Sequence, residues 1–176
     1  MYIPLLTIVT FLPLLGVAAI LLLKPLRHES DTAIRRIAMA TTGITFLGTI
    51  VMLLAYDSSI AGLQLVDRFD WIPSWGISYF VGVDGLSILF VILTSFIMML
   101  AVYASFSAIT KQVKGYYIFM LLLEIGMLGV FLAQDLFLFY VFWEFTLIPM
   151  YFLIGIWGGE RRVYASIKFF LYTMDG

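Results

Sequence analysis

Long apolar runs separated by short charged clusters dominate the chain. Four of them, Ile3–Leu23, Ile37–Tyr56, Leu86–Ala108 and Leu136–Trp157, carry no Lys, Arg or Asp. Each has the length of a helix that crosses a bilayer, which takes about 20 residues to cover ~30 Å of hydrocarbon at helical rise. A fifth run, Tyr116–Leu132, holds Glu124 as its one charged residue. A sixth begins at Val163 and at helical rise reaches only about 21 Å by Gly176. The pattern predicts an all-α, polytopic transmembrane helix bundle with five full spans and a truncated sixth. On this reading the chain is expected to be an N-terminal fragment of a longer protein. The first basic residue, Lys24, follows the first run, and no small-residue cleavage site precedes it, so that run reads as a retained span and not as a signal peptide.

Composition narrows the chemistry. The 176 residues are 63% hydrophobic and 12% charged, far from the balance of a soluble domain. A net charge of −1 offers no basic field, so nucleic acid is not an expected partner. With no Cys and a single His, the chain lacks the ligands of Cys-bound zinc, iron–sulfur clusters and c-type haem. That one histidine, His28, sits in a charged connection.

Lys and Arg bias a connection toward the cytoplasm. They cluster at Lys24, Arg27, Arg35 and Arg36, again at Lys111 and Lys114, and again at Arg161 and Arg162. The intervening connections hold Arg68 among four Asp, and Asp135 with no base. The alternation predicts an N-terminus outside, with Glu160, Arg161 and Arg162 as a solvated topology signal. The 29-residue connection Asp57–Gly85 is long for a helix-to-helix turn. Its Trp71, Pro73, Trp75 and Tyr79 suit an interfacial layer, so a coil or short hairpin is expected against the outer membrane face. Asp84 and Asp135 read as N-caps of the spans that follow them.

Two carboxylates interrupt the apolar runs. A charge at the bilayer centre costs roughly 2.5–3.5 kcal/mol on insertion scales, so an intramembrane acid marks a functional hypothesis. Glu124 lies nine residues before Ala133 and Glu144 ten after Gln134, which puts both about 14–15 Å from the outer surface. Pro149, five residues beyond Glu144, removes an amide and frees the Phe145 carbonyl beside that carboxylate. Thr146 adds a hydroxyl. Desolvation favours the neutral form of a buried acid and a nearby Lys favours the charged form, so such a group can relay a proton as its partner changes. Glu144 is therefore the first candidate relay. Glu124 is a second, with helix–helix hydrogen bonding as its alternative role; Gly126 and Gly129 on its helix permit close approach of a neighbour. Lys168 lies roughly 13 Å from Glu144 along the membrane normal. It either snorkels to the inner interface or ends a proton path.

The stretch AQDLFLFYVFWEFTLIPMYFLIGIWGGERRVYASIKFFLY, from Ala133 to Tyr172, resembles the antiporter-like membrane subunits of respiratory complex I. VGVDGLSILFVILTSFIMMLAVYAS, from Val81 to Ser105, strengthens the resemblance and points to the subunit M (chain 4) family. The resemblance implies a fold of about fourteen helices with two inverted five-helix repeats, in the membrane arm of a proton-pumping NADH-quinone oxidoreductase. Residues 1–132 would form the N-terminal transmembrane scaffold and residues 133–176 the start of the proton-translocating region. Glu144 would be the relay carboxylate, controlled by a lysine on a later broken helix that this sequence does not include. NADH, FMN, iron–sulfur clusters and quinone would belong to other subunits, and no cofactor to this chain. Its partners would be the other membrane-arm subunits and the lipid bilayer, its location a bacterial plasma membrane. The same region is shared by Mrp-type Na⁺/H⁺ antiporter subunits and by membrane subunits of hydrogenase and photosynthetic NDH complexes, which remain the alternatives. A module whose carboxylates only lock helices together is the third.

Overall fold

The computed structural model describes residues 5–22, 27–57, 59, 62–109, 113–157 and 162–175; Lys24, Lys111, Glu160 and Arg161 lie outside them. Among the described residues, six α-helices and one β-hairpin, whose connection contains a single 3-10 turn, Pro73–Trp75, follow in chain order: α1 Leu5–Leu22, α2 Arg27–Ala55, β1 Gln64–Ile72, β2 Ile77–Val83, α3 Gly85–Ala108, α4 Val113–Leu132, α5 Leu136–Trp157 and α6 Arg162–Asp175. Five of the helices, α1 to α5, contain a stretch long and apolar enough to cross a membrane. The chain is an integral membrane protein built as an all-helical bundle with the hairpin at one end.

Helix α2 begins ten residues earlier than the apolar run Ile37–Tyr56 suggests. Residues Arg27–Arg36 contain neither Gly nor Pro and include good helix formers, so nothing stops the helix where the hydrophobicity ends. The charged cluster marks where α2 leaves the apolar layer, not where it unwinds. Helix α4 likewise starts at Val113, three residues before its apolar run.

The long connection is an antiparallel hairpin, and it packs into the bundle instead of only covering it. Val81 and Val83 of β2 join the apolar cluster formed by Leu6 and Val9 of α1, Met52 of α2, Ile88 and Val91 of α3, Leu128 and Leu132 of α4, and Leu138 and Phe142 of α5. The Gln134 amide donates to the Phe80 carbonyl at 2.8 Å, which fixes the α4–α5 turn to the strand. Register steps from Gln64↔Val83 to Asp67↔Val81, so β1 carries one extra residue there. Leu65, at that bulge, has φ 54. A bulge bends a strand and re-aims its side chains. Here it sets Asp67 opposite Val81 on the buried face. Gly76, at φ 69, supplies the left-handed turn into β2.

Three carboxylates fasten the hairpin end. Asp84 caps α3, accepting from the Leu86 and Ser87 amides at 3.0 and 2.8 Å, while the Ser87 hydroxyl accepts from the Asp84 amide at 2.9 Å. Asp135 caps α5 through Oδ1, which accepts from the Phe137 and Leu138 amides, and its Oδ2 accepts from the Ser78 amide of β2 at 3.2 Å. Asp67 serves α1 across the fold: it accepts from the Thr7 amide at 3.0 Å and the Thr7 hydroxyl at 2.8 Å. The first amides of a helix have no partner within it and form the positive end of its dipole, so each carboxylate satisfies donors and charge together. Helices α1, α3 and α5 thus all start at the hairpin end. A second apolar cluster fills the opposite end, with Val17 and Ile20 of α1, Ile34 and Ala38 of α2, Met98 and Val102 of α3, and Val113, Tyr117, Met120 and Leu121 of α4.

Candidate functional site

Helix α4 is the most buried of the spans and α5 the least. Their contact is close because α4 presents glycine. A Cβ at Gly126 would stand 2.5 Å from the Thr146 methyl and 3.4 Å from the Thr146 amide nitrogen, and one at Gly129 would overlap the Phe142 ring. Further along, the Phe119 and Phe152 rings stack at 5.1 Å. These contacts fix both register and facing. At about 100° per residue, Glu124 points away from the α4 face that carries Phe119, Gly126 and Gly129. Glu144 likewise lies on the side of α5 away from Phe142, Phe145 and Thr146.

The structure therefore does not bring the two carboxylates together. With Gly126 level with Thr146, Glu144 lies two residues toward the hairpin end and Glu124 two residues toward the other. Their offset along the helices is about 6 Å, on opposite sides of the α4–α5 pair. Counting residues from the connecting turn suggests nearly equal depth. The packing register of the glycines displaces them, and that register depends on side-chain shape.

Glu144 is half-buried on α5, which continues as one helix through Pro149. Proline has no amide to give the Phe145 carbonyl, so that oxygen lacks its usual helical donor one residue from Glu144. The Thr146 hydroxyl is directed elsewhere: it donates to the Trp143 carbonyl at 2.6 Å, and its methyl meets Gly126. Trp143, beside Glu144, is 42% exposed, so this face of α5 opens outward from the bundle.

Lys168 is exposed on α6, with its ammonium 5.8 Å from the centres of both the Tyr164 and Tyr172 rings. Its neighbour Ile167 lines a groove of about 330 Å³ with Ile148, Tyr151, Phe152 and Leu171. Tyr151 is seven residues from Glu144, about 10 Å along α5.

Glu124 has 0% of its surface exposed, and neither carboxyl oxygen has a hydrogen-bond partner among the described residues. Sequence reasoning finds Glu124 but misses its surroundings. Thr42, Thr45 and Thr49 of α2 are buried, with spacings of three and four that place them on one face. That spacing is the readable signal. Thr94 and Ser95 of α3 are also buried, and the Thr49 and Ser95 hydroxyls meet at 3.0 Å. Asp67, with Thr7 and Tyr79 joined at 3.0 Å beside it, is likewise missed, since only the folded hairpin brings it to α1.

Comparison with known proteins gives the chain its relatives. Residues 133–176 match the family model described as NADH:quinone oxidoreductase/Mrp antiporter, transmembrane region. NADH-quinone oxidoreductase subunit M of Rickettsia felis is 42% identical over 175 residues, an overlap covering 98% of this chain and 36% of the relative. The chain thus spans about a third of the length of the curated relatives it matches. A solved structure of respiratory complex I from Thermus thermophilus contains a chain that superposes with a TM-score of 0.80 at 28% identity, over 97% of this chain and 33% of that one. A chain of the Mrp complex from Dietzia superposes with a TM-score of 0.76 at 20% identity, over 97% of this chain and 17% of that one, and so shares the fold. Residues 11–133, more than half of the chain, match the model of NADH-ubiquinone oxidoreductase chain 4, amino terminus, and the chain belongs to that family of membrane subunits, also called subunit M.

Proposed function

We propose that this chain works in the membrane arm of a proton-pumping NADH-quinone oxidoreductase, passing protons through Glu144 while quinone is reduced in other subunits. The observation that carries the reading is Glu144 itself: an acid midway along an apolar helix, half-buried, on the open face of α5. The carbonyl freed by Pro149 beside it suits a hydrated or mobile partner. The names of the matching relatives and of the family models support the assembly-level role.

In this reading α5 holds the acid at a fixed depth. The face away from α4 meets other helices of the whole subunit. Proton release follows when a cation approaches that face and uptake when it withdraws, because charge nearby and desolvation act in opposite directions on an acid. Lys168, clamped between two tyrosines on α6, sits one or two turns nearer the basic end and marks the cytoplasmic end of the path. The basic clusters set the orientation, with the hairpin outside and the membrane that of a bacterial cell. Nicotinamide, flavin, cluster and quinone chemistry belongs to partner subunits. Exchange of Na⁺ for H⁺ in an Mrp-type complex is the second reading, favoured by the shared family model over residues 133–176 and the shared fold.

The deciding experiment uses the full-length subunit assembled in its complex and reconstituted in vesicles. Glu144→Gln is expected to lower the protons moved per electron pair, and Glu144→Asp to retain part of them. An unchanged ratio in a normally assembled Glu144→Gln complex overturns the relay. Dependence of transport on Na⁺ instead of on electron transfer selects the antiporter.

A further inference from the structure

The two apolar clusters of the bundle are separated by a polar layer, and Glu124 lies in it. On α4 the neighbours of Glu124 on the same face are Leu121, in the cluster at the basic end, and Leu128, in the cluster at the hairpin end. Between Ala38 and Met52, the buried residues of α2 are Thr42, Thr45 and Thr49; between Val91 and Met98, those of α3 are Thr94 and Ser95. At this level the interior faces of both helices are hydroxyl-bearing.

Four of these five hydroxyls are engaged within the bundle, and those of Thr49 and Ser95 also bond to each other, one of them sharing its hydrogen between two partners. Thr42 donates to the Ala38 and Met39 carbonyls, Thr45 to the Thr41 carbonyl at 2.8 Å, Thr49 to the Phe46 carbonyl at 2.6 Å and Ser95 to the Ile92 carbonyl at 2.9 Å. What such hydroxyls offer a neighbour is acceptor lone pairs. An ionised carboxylate accepts only, so it gains nothing from them, whereas a carboxylic acid has one hydrogen to give. Among the described residues, no base lies near to compensate a charge. Helices α1 and α3 contain no Lys or Arg, Arg35 and Arg36 precede Thr42 by at least six residues, and Lys114 is ten residues from Glu124, about 15 Å along α4. A buried unpaired carboxylate is far more costly than a neutral acid. The acid's carbonyl oxygen still needs a donor; among the described residues none lies within hydrogen-bond distance of it, and water can supply one.

We propose that Glu124 is a neutral carboxylic acid bound to internal water within the hydroxyl layer of α2 and α3, a proton-binding site on the opposite side of α4 from Glu144. The close contact of Gly126 and Gly129 with α5 separates the two sites, so neither depends on the other.

Infrared difference spectroscopy of the full-length subunit in its complex tests this at neutral pH. Subtracting the Glu124→Gln spectrum is expected to isolate one protonated-carboxyl stretch, and that band is expected to shift on transfer to D2O while the complex stays folded. Loss of carboxylate bands instead overturns the neutral acid. The carboxyl band shifts in D2O by exchange of its own hydrogen, so the water is read from its own O–H stretch: a Glu124→Gln difference spectrum with no water O–H band that moves to the O–D region in D2O overturns the bound water. If Glu124→Gln fails to assemble, Glu124→Asp carries the same test through a displaced band. Glu144→Gln is expected to leave the band in place, so the result stands or falls separately from the role of Glu144.

Discussion

Asp67 meets α1 at Thr7, where it satisfies an amide that the helix cannot satisfy itself, and it is 1% exposed. Removing one partner from a buried hydrogen bond leaves the other to bear its full desolvation penalty, about 1–3 kcal/mol. Asp67→Ala is accordingly expected to lower thermal stability of the full-length protein in detergent by that amount, with Asp67→Asn, which keeps an acceptor, losing less. Asp84 differs because it stands in solvent. The Ser87 amide, foremost among its donors, holds its carboxyl below the ordinary value of 3.8. A depressed acid contributes stability above its unfolded value and loses it as pH falls through the folded one. Hydrogen exchange at the Leu86 and Ser87 amides is therefore expected to be slow and pH-independent in its protection near neutrality, and protection is expected to persist past the ordinary carboxylate range and to fail only as pH falls through the lower, folded-state value. Asp84→Asn, still a good cap, should abolish that acid-dependent step. Both N-caps, Asp84 and Asp135, are legible in the sequence because capping is local. Asp67 is not, because its partner is sixty residues away.

At the scale of elements, glycine decides how closely α4 and α5 approach. Gly129→Ala drives a methyl against the Phe142 ring, and overpacking of this kind costs about 1–3 kcal/mol. A methyl added at Gly43, on α2, would meet nothing within 4 Å, so Gly43→Ala is expected to gain up to about 1 kcal/mol from helix propensity alone. Opposite shifts in melting temperature from the same chemical change would show that packing, not helix propensity, sets the α4–α5 distance. The helices themselves are readable from hydrophobic runs, since a bilayer demands a length and excludes charge. Their ends are less so: α2 runs on through Arg27–Arg36 because hydropathy reports depth and not the end of backbone hydrogen bonding. The facing of Glu124 and Glu144 is not readable at all from a count of residues, since it follows from which glycine meets which side chain.

For the whole molecule, the hairpin joins what the helices leave separate. Fold class and the number of spans are legible because they depend on composition along the chain. The hydroxyl layer is legible only in part: the spacing of Thr42, Thr45 and Thr49 is visible, but its alignment with Ser95 and Glu124 needs the bundle assembled. The same dependence on assembly has a consequence for biogenesis. Thr7 is synthesised sixty residues before Asp67, so the ribosome delivers the first helix to the membrane while its anchor is still unmade. That helix must wait, with its leading amides facing water or lipid headgroups, until the hairpin has emerged and folded back over it, and the final seating of the earliest segment is therefore a late event.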